Sequence, residues 1–303
     1  MIARICGIAA LLAGCAVVPP ADAARQAEVA PPVAVATPVP TPAPPPDAPI
    51  RADFTYAGEL TQGGWIRGTV PSGTVSARLG DQEIAFDLQG RFFAAFDRDA
   101  GTTAQLVAIL ANGDTVNAII PVSPRAWELE YVNTALRPGG GSSADFQRRR
   151  QPELDAIWNA RTANMPATGW QEDWIWPVTG RISGRFGSQR IYRGEPGSYH
   201  SGLDIARPTG TAIVAPASGV VTLATAAPFS IEGNLLIIDH GQGLNSAFLH
   251  LSRIDVAEGD RVVQGQTLGA IGTTGRSTGP HLHWSIKWHL ARLDPLLFVG
   301  PMP

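Results

Sequence analysis

The residues best suited to chemistry in this chain are two pairs, His200-x-x-x-Asp204 and His281-Leu282-His283. Both spacings suit extended backbone, where side chains alternate faces and residues two or four apart point the same way. On a strand, His281 and His283 share one face while Leu282 and Trp284 take the other. His200 and Asp204 likewise share a face, with Leu203 and Ile205 turned inward. Two imidazoles and a carboxylate gathered on a sheet supply three protein ligands, the number a catalytic zinc keeps while a fourth position holds water. A structural zinc would want four, usually with cysteines, and the only cysteines are Cys6 and Cys15, close to the N-terminus. The pattern predicts a hydrolase.

The elements that must position these side chains are read from periodicity. From Ile50 to about Asn133, short alternating runs such as Trp65–Val70, Phe92–Phe96 and Gln105–Leu110 are punctuated by Pro71-Ser72-Gly73, Leu79-Gly80-Asp81 and Asn112-Gly113-Asp114. Strands at such regular spacing predict a small β-sandwich or barrel over 50–133. Gly139-Gly140-Gly141 then breaks the chain, Ser142 or Ser143 is placed to cap a helix, and Pro152 suits a first turn. Residues 142–165 therefore read as one kinked or two short helices inside a connector, 134–172. Residues 173–303 are again strand-rich, with one hairpin expected over 209–221 and a second over 259–269. The fold class expected is mainly β.

At 303 residues the chain has room for two cores. Its net charge is −3, its cations are arginines apart from Lys287, and its longest basic block is Arg148-Arg149-Arg150. That gives no footing for nucleic acid; the arginine run reads as a solvated helix face. The N-terminus resembles an export signal. Arg4 supplies a positive start and Ile5–Ala13 an apolar run too short for a permanent membrane span. Leu12-Ala13-Gly14-Cys15 resembles the lipobox of bacterial lipoproteins, which implies a signal over 1–15, lipidation of Cys15 and a membrane contact through that anchor alone. Ala16 after the cysteine implies sorting to an outer membrane. The competing reading is cleavage after Ala21-Asp22-Ala23, giving a soluble periplasmic or secreted protein. Residues 16–49 are rich in proline and alanine and read as a linker that cannot build a core.

Taken together, His200-x-x-x-Asp204, Phe248-Leu249-His250-Leu251-Ser252 and Gly275-x-Ser277-x-Gly279-Pro280-His281-Leu282-His283 resemble the lysostaphin-type (LytM) zinc metallopeptidases. The resemblance covers about Trp176 to Phe298 and implies an antiparallel β catalytic domain built around a duplicated hybrid motif. It implies His200, Asp204 and His283 as zinc ligands and His250 and His281 as the catalytic pair, with Asn234 a possible residue of the substrate groove. The chemistry agrees: a base must take a proton from water, the chain has no H-E-x-x-H glutamate, and histidine titrates near working pH. Which of His250 and His281 is the base stays open. His240 reads as ordering a turn, and His289 as surface or packing.

The function implied is zinc-dependent hydrolysis of the peptide cross-links of peptidoglycan on the periplasmic side of the envelope, at a D-alanyl link to a diamino acid. A non-catalytic activator or scaffold for wall amidases is the alternative, and the complete ligand set argues against it. A lipoyl-type carrier would need a lysine at a hairpin tip, whereas Lys287 continues the strand from His283. The stretch Gln189–Tyr199 is placed to wall the groove, with the connector helices across its open end.

Overall fold

The structure, a computed structural model, describes residues 50–135 and 143–303, and there alternating hydrophobicity becomes strand. They hold 21 strands, one α-helix and two short 3-10 turns, so the fold is mainly β, as expected. The expected signal segment, Cys15 and the expected proline-rich linker lie outside the described residues.

The first half contributes two antiparallel sheets. One joins Thr55–Gly58, Trp65–Thr69 and Arg91–Ala95; the other orders Gln82–Ile84, Thr74–Leu79, Thr103–Leu110 and Thr115–Pro121. Their inward residues Ile66, Phe92, Phe93, Leu106 and Ile120 are fully buried. This core runs on without a break into that of residues 173–303. Trp65 stacks near Phe93 and Phe298 (ring centroids 6.1 and 5.5 Å), and its Nε1–H donates to Leu297 O at 2.8 Å.

The site rests on an eight-stranded antiparallel sheet. Its order is Arg261–Val262, Gly219–Ala224, Asn234–Gly241, Leu244–Leu251, His281–Trp288, Leu203–Ala206 and Arg181–Gly184, with Ala291–Leu293 also paired to His281–Trp288. One face is the core: Leu203, Ile205, Leu282, Trp284 and Ile286 are fully buried. Burying each such side chain stabilises by roughly 1.5–3 kcal/mol, so the alternation that hides them also fixes which face their neighbours present. Against that second face lies the helix Ala144–Thr162, capped by Ser143 Oγ accepting from Phe146 N–H. Ala160 and Ile157 pack there on Leu235, Ile237 and Ala247.

Three expectations change on contact with the structure. The connector holds one helix, Ala144–Thr162, and Pro152 lies inside it rather than in its first turn. The arginine run is not wholly solvated: Arg148 and Arg149 are exposed, but Arg150 is buried and bidentate to Glu232 (2.6 and 2.7 Å) while also meeting Glu153 at 2.9 Å. Burial is tolerable because two carboxylates surround the guanidinium. Neither expected hairpin closes on itself. Ala212–Val214 pairs with Thr267–Ala270 in a small sheet, while Gly219–Ala224 and Arg261–Val262 pair in the large one. Pro216, without an N–H, sits where the first segment crosses between sheets.

His240 tests the burial directly. Its ring has no exposure, donates from Nδ1 to Ser218 O (2.8 Å), meets Ser246 Oγ at Nε2 (2.7 Å) and lies 4.5 Å from the Trp174 ring. Burial lowers its pKa to about 4, below the unfolded value near 6.5. The neutral ring therefore stabilises the fold above that unfolded value, and the contribution is lost as pH falls from about 6.5 through 4. Asp239, raised to about 6 by burial, works in the opposite sense. The test is the stability difference between the protein and His240→Gln, which cancels Asp239. It should shrink by on the order of 3 kcal/mol between pH 7 and pH 4. A pH-independent difference would mean the imidazole is not held neutral.

Candidate metal and catalytic site

Strand pairing assembles the site. Asp204 stands opposite His283 and Ala206 opposite His281 in the antiparallel register, so Asp204, His281 and His283 share the face away from the core. His200 arrives differently from the strand expectation. Its strand ends at Tyr199, and Ser201-Gly202 separate it from the Leu203–Ala206 strand. Close packing is the reason: a Cβ on Gly202 would come within 2.6 Å of His283 Nε2 and of Trp284 O, so only glycine lets the chain pass there. A Cβ on Gly184 would likewise meet Asp204 Oδ2 at 2.5 Å.

His200 Nε2, Asp204 Oδ1 and His283 Nδ1 converge. The first lies 3.1 Å from each of the others, and His283 Nδ1 lies 2.8 Å from Asp204 Oδ1. They are the one group of three or more such ligands gathered this closely among the described residues. His200 donates its Nδ1–H to Arg185 O (3.0 Å), so in the neutral ring Nε2 turns a lone pair towards the carboxylate oxygen and the second imidazole, and in the protonated ring it donates to that oxygen. Three electron-pair donors facing one point fit a cation. Tetrahedral ligands at about 2.0–2.1 Å stand about 3.3 Å apart, close to the spacing here. The same field acts on protons. Burial raises the Asp204 carboxyl, but hydrogen bonds from His200 and His283 outweigh it and hold its pKa well below the usual carboxylate range. At His200 burial disfavours the cation, yet Asp204 raises the pKa overall; at His283 burial wins and lowers it.

His250 and His281 flank this group with ring centroids 5.0 Å apart. Each ring is fixed by a backbone carbonyl: His250 Nδ1–H donates to Thr274 O and His281 Nδ1–H to Gly279 O, both at 2.8 Å. In the neutral form of each ring Nε2 is then the lone-pair nitrogen, and that of His281 lies 3.7 Å from Asp204 Oδ1. Burial lowers the His250 pKa, which favours the neutral, proton-accepting ring.

His250 reaches the site through a bulge that simple alternation does not foresee. Asn234 pairs with Leu251 and Leu236 with Phe248, so the Leu244–Leu251 strand carries one extra residue there. His250 takes up the left-handed backbone (φ 63°), a strain of the kind that persists where surrounding structure enforces it. Phe248 and Leu251 both stay in the core as a result. Asn234 braces this bulge: its Nδ2 donates to Leu251 O (2.8 Å) and its backbone N–H to Thr274 Oγ1 (2.8 Å). The main-chain carbonyl of Glu232, whose carboxylate is held by Arg150, accepts from the His250 N–H (2.9 Å). Sequence reasoning did not single out Thr274, Arg185 or Glu232, because all three reach the histidines through main-chain carbonyls that any residue supplies.

His200 and Asp204 open onto a cleft of about 900 Å3. One wall is the hairpin Gln189–Tyr192 and Glu195–Tyr199, with Leu129–Val132 paired in parallel to its first strand. A polypeptide segment fits such an open trough.

Residues 198–295 match peptidase family M23. The chain is 40% identical over 110 residues to the peptidoglycan DD-endopeptidase ShyA of Vibrio cholerae, covering 35% of this chain and 24% of that one. It is 34% identical over 134 residues to a lipoprotein NlpD/LppB homolog of Pseudomonas aeruginosa, covering 44% and 41%. The chain thus spans a quarter to two fifths of the length of these relatives. A solved peptidase M23 structure from Pseudomonas aeruginosa superposes with a TM-score of 0.60 at 27% identity, covering 81% of this chain and 96% of that one. The motifs quoted from the sequence, the β architecture and these likenesses agree: this chain carries a peptidase family M23 domain.

Proposed function

We propose that the protein is a zinc-dependent endopeptidase that hydrolyses peptide cross-links of peptidoglycan, at a D-alanyl bond to a diamino acid. The observation that carries this reading is the convergence of His200, Asp204 and His283 beside two histidines with free Nε2 atoms. A chain that only activated other hydrolases would need neither. The relative named a DD-endopeptidase supports the substrate class.

His200, Asp204 and His283 would hold the zinc. When bound there, zinc supplies Lewis acidity towards a carbonyl oxygen and towards water. The peptide lies in the cleft with its scissile carbonyl at the ligand face. One of His250 and His281 takes the proton from the attacking water at Nε2; the other, once protonated, donates to the oxygen on which charge develops or to the departing amine. Neither ring needs to reorient, because a carbonyl holds each Nδ1–H. In this reading residues 173–303 carry the catalysis, with 50–133 a small β domain and 134–172 a connector.

The direct test is digestion of defined cross-linked muropeptides followed by mass analysis. Each dimer should give two monomers with the gain of one water, cut between D-alanine and the diamino acid. Unchanged dimers, or cleavage at the sugar–peptide amide, would contradict the assignment.

Lipidation of Cys15 places the protein at the envelope in this reading, and a relative named as a lipoprotein supports it. Cys15→Ser should release the protein from membrane to soluble fractions or leave an unprocessed precursor. A soluble mature form beginning at Ala24 would instead favour cleavage after Ala23.

A further inference from the structure

Four residues beyond His283, on the same face of its strand, Lys287 stands directly opposite Arg292 in the antiparallel register. Like charges in that position repel and weaken a sheet. Arg161 of the helix joins them: it donates to Asn245 Oδ1 (2.5 Å) and Ser285 Oγ (3.1 Å), both neutral acceptors. None of the three cations has a carboxylate within ion-pairing distance among the described residues; Asp97 and Glu232 act on Lys287 and Arg161 only from farther away. Asp155 on the rim accepts from Gln151 Nε2 instead. Lys287 feels the crowding, its pKa lowered to about 8 by burial and by the two arginines.

The three cations line a cavity of about 670 Å3 whose other wall is apolar and open to solvent. Leu154, Trp158 and Leu290 are 42%, 57% and 67% exposed there. Ser201, next to His200, borders the same cavity, so it adjoins the metal group along the sheet. The sheet thus carries three cations without an ion-paired carboxylate, Arg292 lying over the Tyr199 ring (5.2 Å) and giving only its backbone N–H to Asp97, beside hydrophobic surface about 13 Å from His283 at about 3.3 Å per residue.

We propose that this cavity binds the free carboxylate of an acidic peptide, held three to four extended residues from the bond that is cut. The inference rests on the peptidase reading for its peptide, but its anion chemistry stands alone. A carboxylate between Lys287 and Arg292 relieves the repulsion across the two strands, while Trp158 and Leu154 cover the apolar part of the peptide arm.

Lys287 is the only lysine in the chain, so lysine labelled with 13C at Cε gives a single side-chain resonance in the full-length protein. Titration with acetyl-D-alanyl-D-alanine should shift that resonance saturably, its C-terminal amide should not, and Arg292→Gln should weaken the binding about tenfold. On cross-linked peptides with a free carboxylate, Lys287→Gln should raise KM about tenfold with kcat unchanged, and amidated peptides should show no such change. Equal shifts from acid and amide, or no shift from either, would overturn the proposal; so would tighter saturation by inorganic phosphate, which would make this a phosphate site. The titration needs no turnover. A chain that hydrolysed nothing yet gave the acid-specific shift would sink the peptidase reading and leave the carboxylate site standing.

Discussion

His283→Ala should give a folded protein that retains no zinc and cuts no cross-link. His283 Nδ1 lies 2.8 Å from Asp204 Oδ1 and 3.1 Å from His200 Nε2, so its loss leaves one imidazole and one carboxylate, one short of a catalytic zinc's usual three. The strand itself should survive. Leu282, Trp284 and Ile286 remain buried on the core face, and pairing to the strands on either side is through backbone. The removed ring lies on the sheet face away from the core but is only 12% exposed, so the expected stability cost is on the order of 1 kcal/mol. Elemental analysis after dialysis, thermal melting and muropeptide digestion measure the three quantities. Full zinc occupancy in the folded variant would remove His283 from the ligand set.

His250→Ala and His281→Ala should separate catalysis from metal binding. Both are expected to keep zinc and to lose turnover by about 10²–10⁴-fold, the range for removing a general acid or base. Because the two rings lie 5.0 Å apart and would act on one proton path, the double variant should fall well short of the product of the single losses. His250 needs a second control, since its left-handed φ of 63° suits alanine poorly. Asparagine tolerates that backbone; His250→Asn should therefore fold like the parent and still lose turnover. Wild-type rates in either histidine variant would take that residue out of the chemistry.

The convergence of His200, Asp204 and His283 was legible because coordination demands particular side chains at particular spacings, and the core face was legible because Leu203, Ile205, Leu282 and Trp284 alternate. What escaped was geometry set by distant partners. His200 leaves its strand because Gly202 must pass under His283, a contact between segments far apart in sequence. The bulge that turns His250 to the site depends on register with Asn234 and Leu236, and nothing in the local pattern around Phe248–Leu251 announces it. The exchange of partners that replaced both expected hairpins has the same origin, as does the pairing of Leu129–Val132 with Gln189–Tyr192. The cluster of Arg161, Lys287 and Arg292 was invisible for a further reason: a helix and two strands each supply one charge, and only the assembled sheet sets them together.

The decisive measurement is turnover on a defined cross-linked muropeptide as zinc is returned to the metal-stripped protein in known fractions of an equivalent. Activity should be absent in the stripped protein, rise in proportion to zinc and level off at one zinc per chain, as expected for the single group formed by His200, Asp204 and His283. Undiminished hydrolysis by protein shown to be free of metal, or no hydrolysis from protein shown to hold one zinc per chain, would contradict the assignment of that group as the catalytic centre.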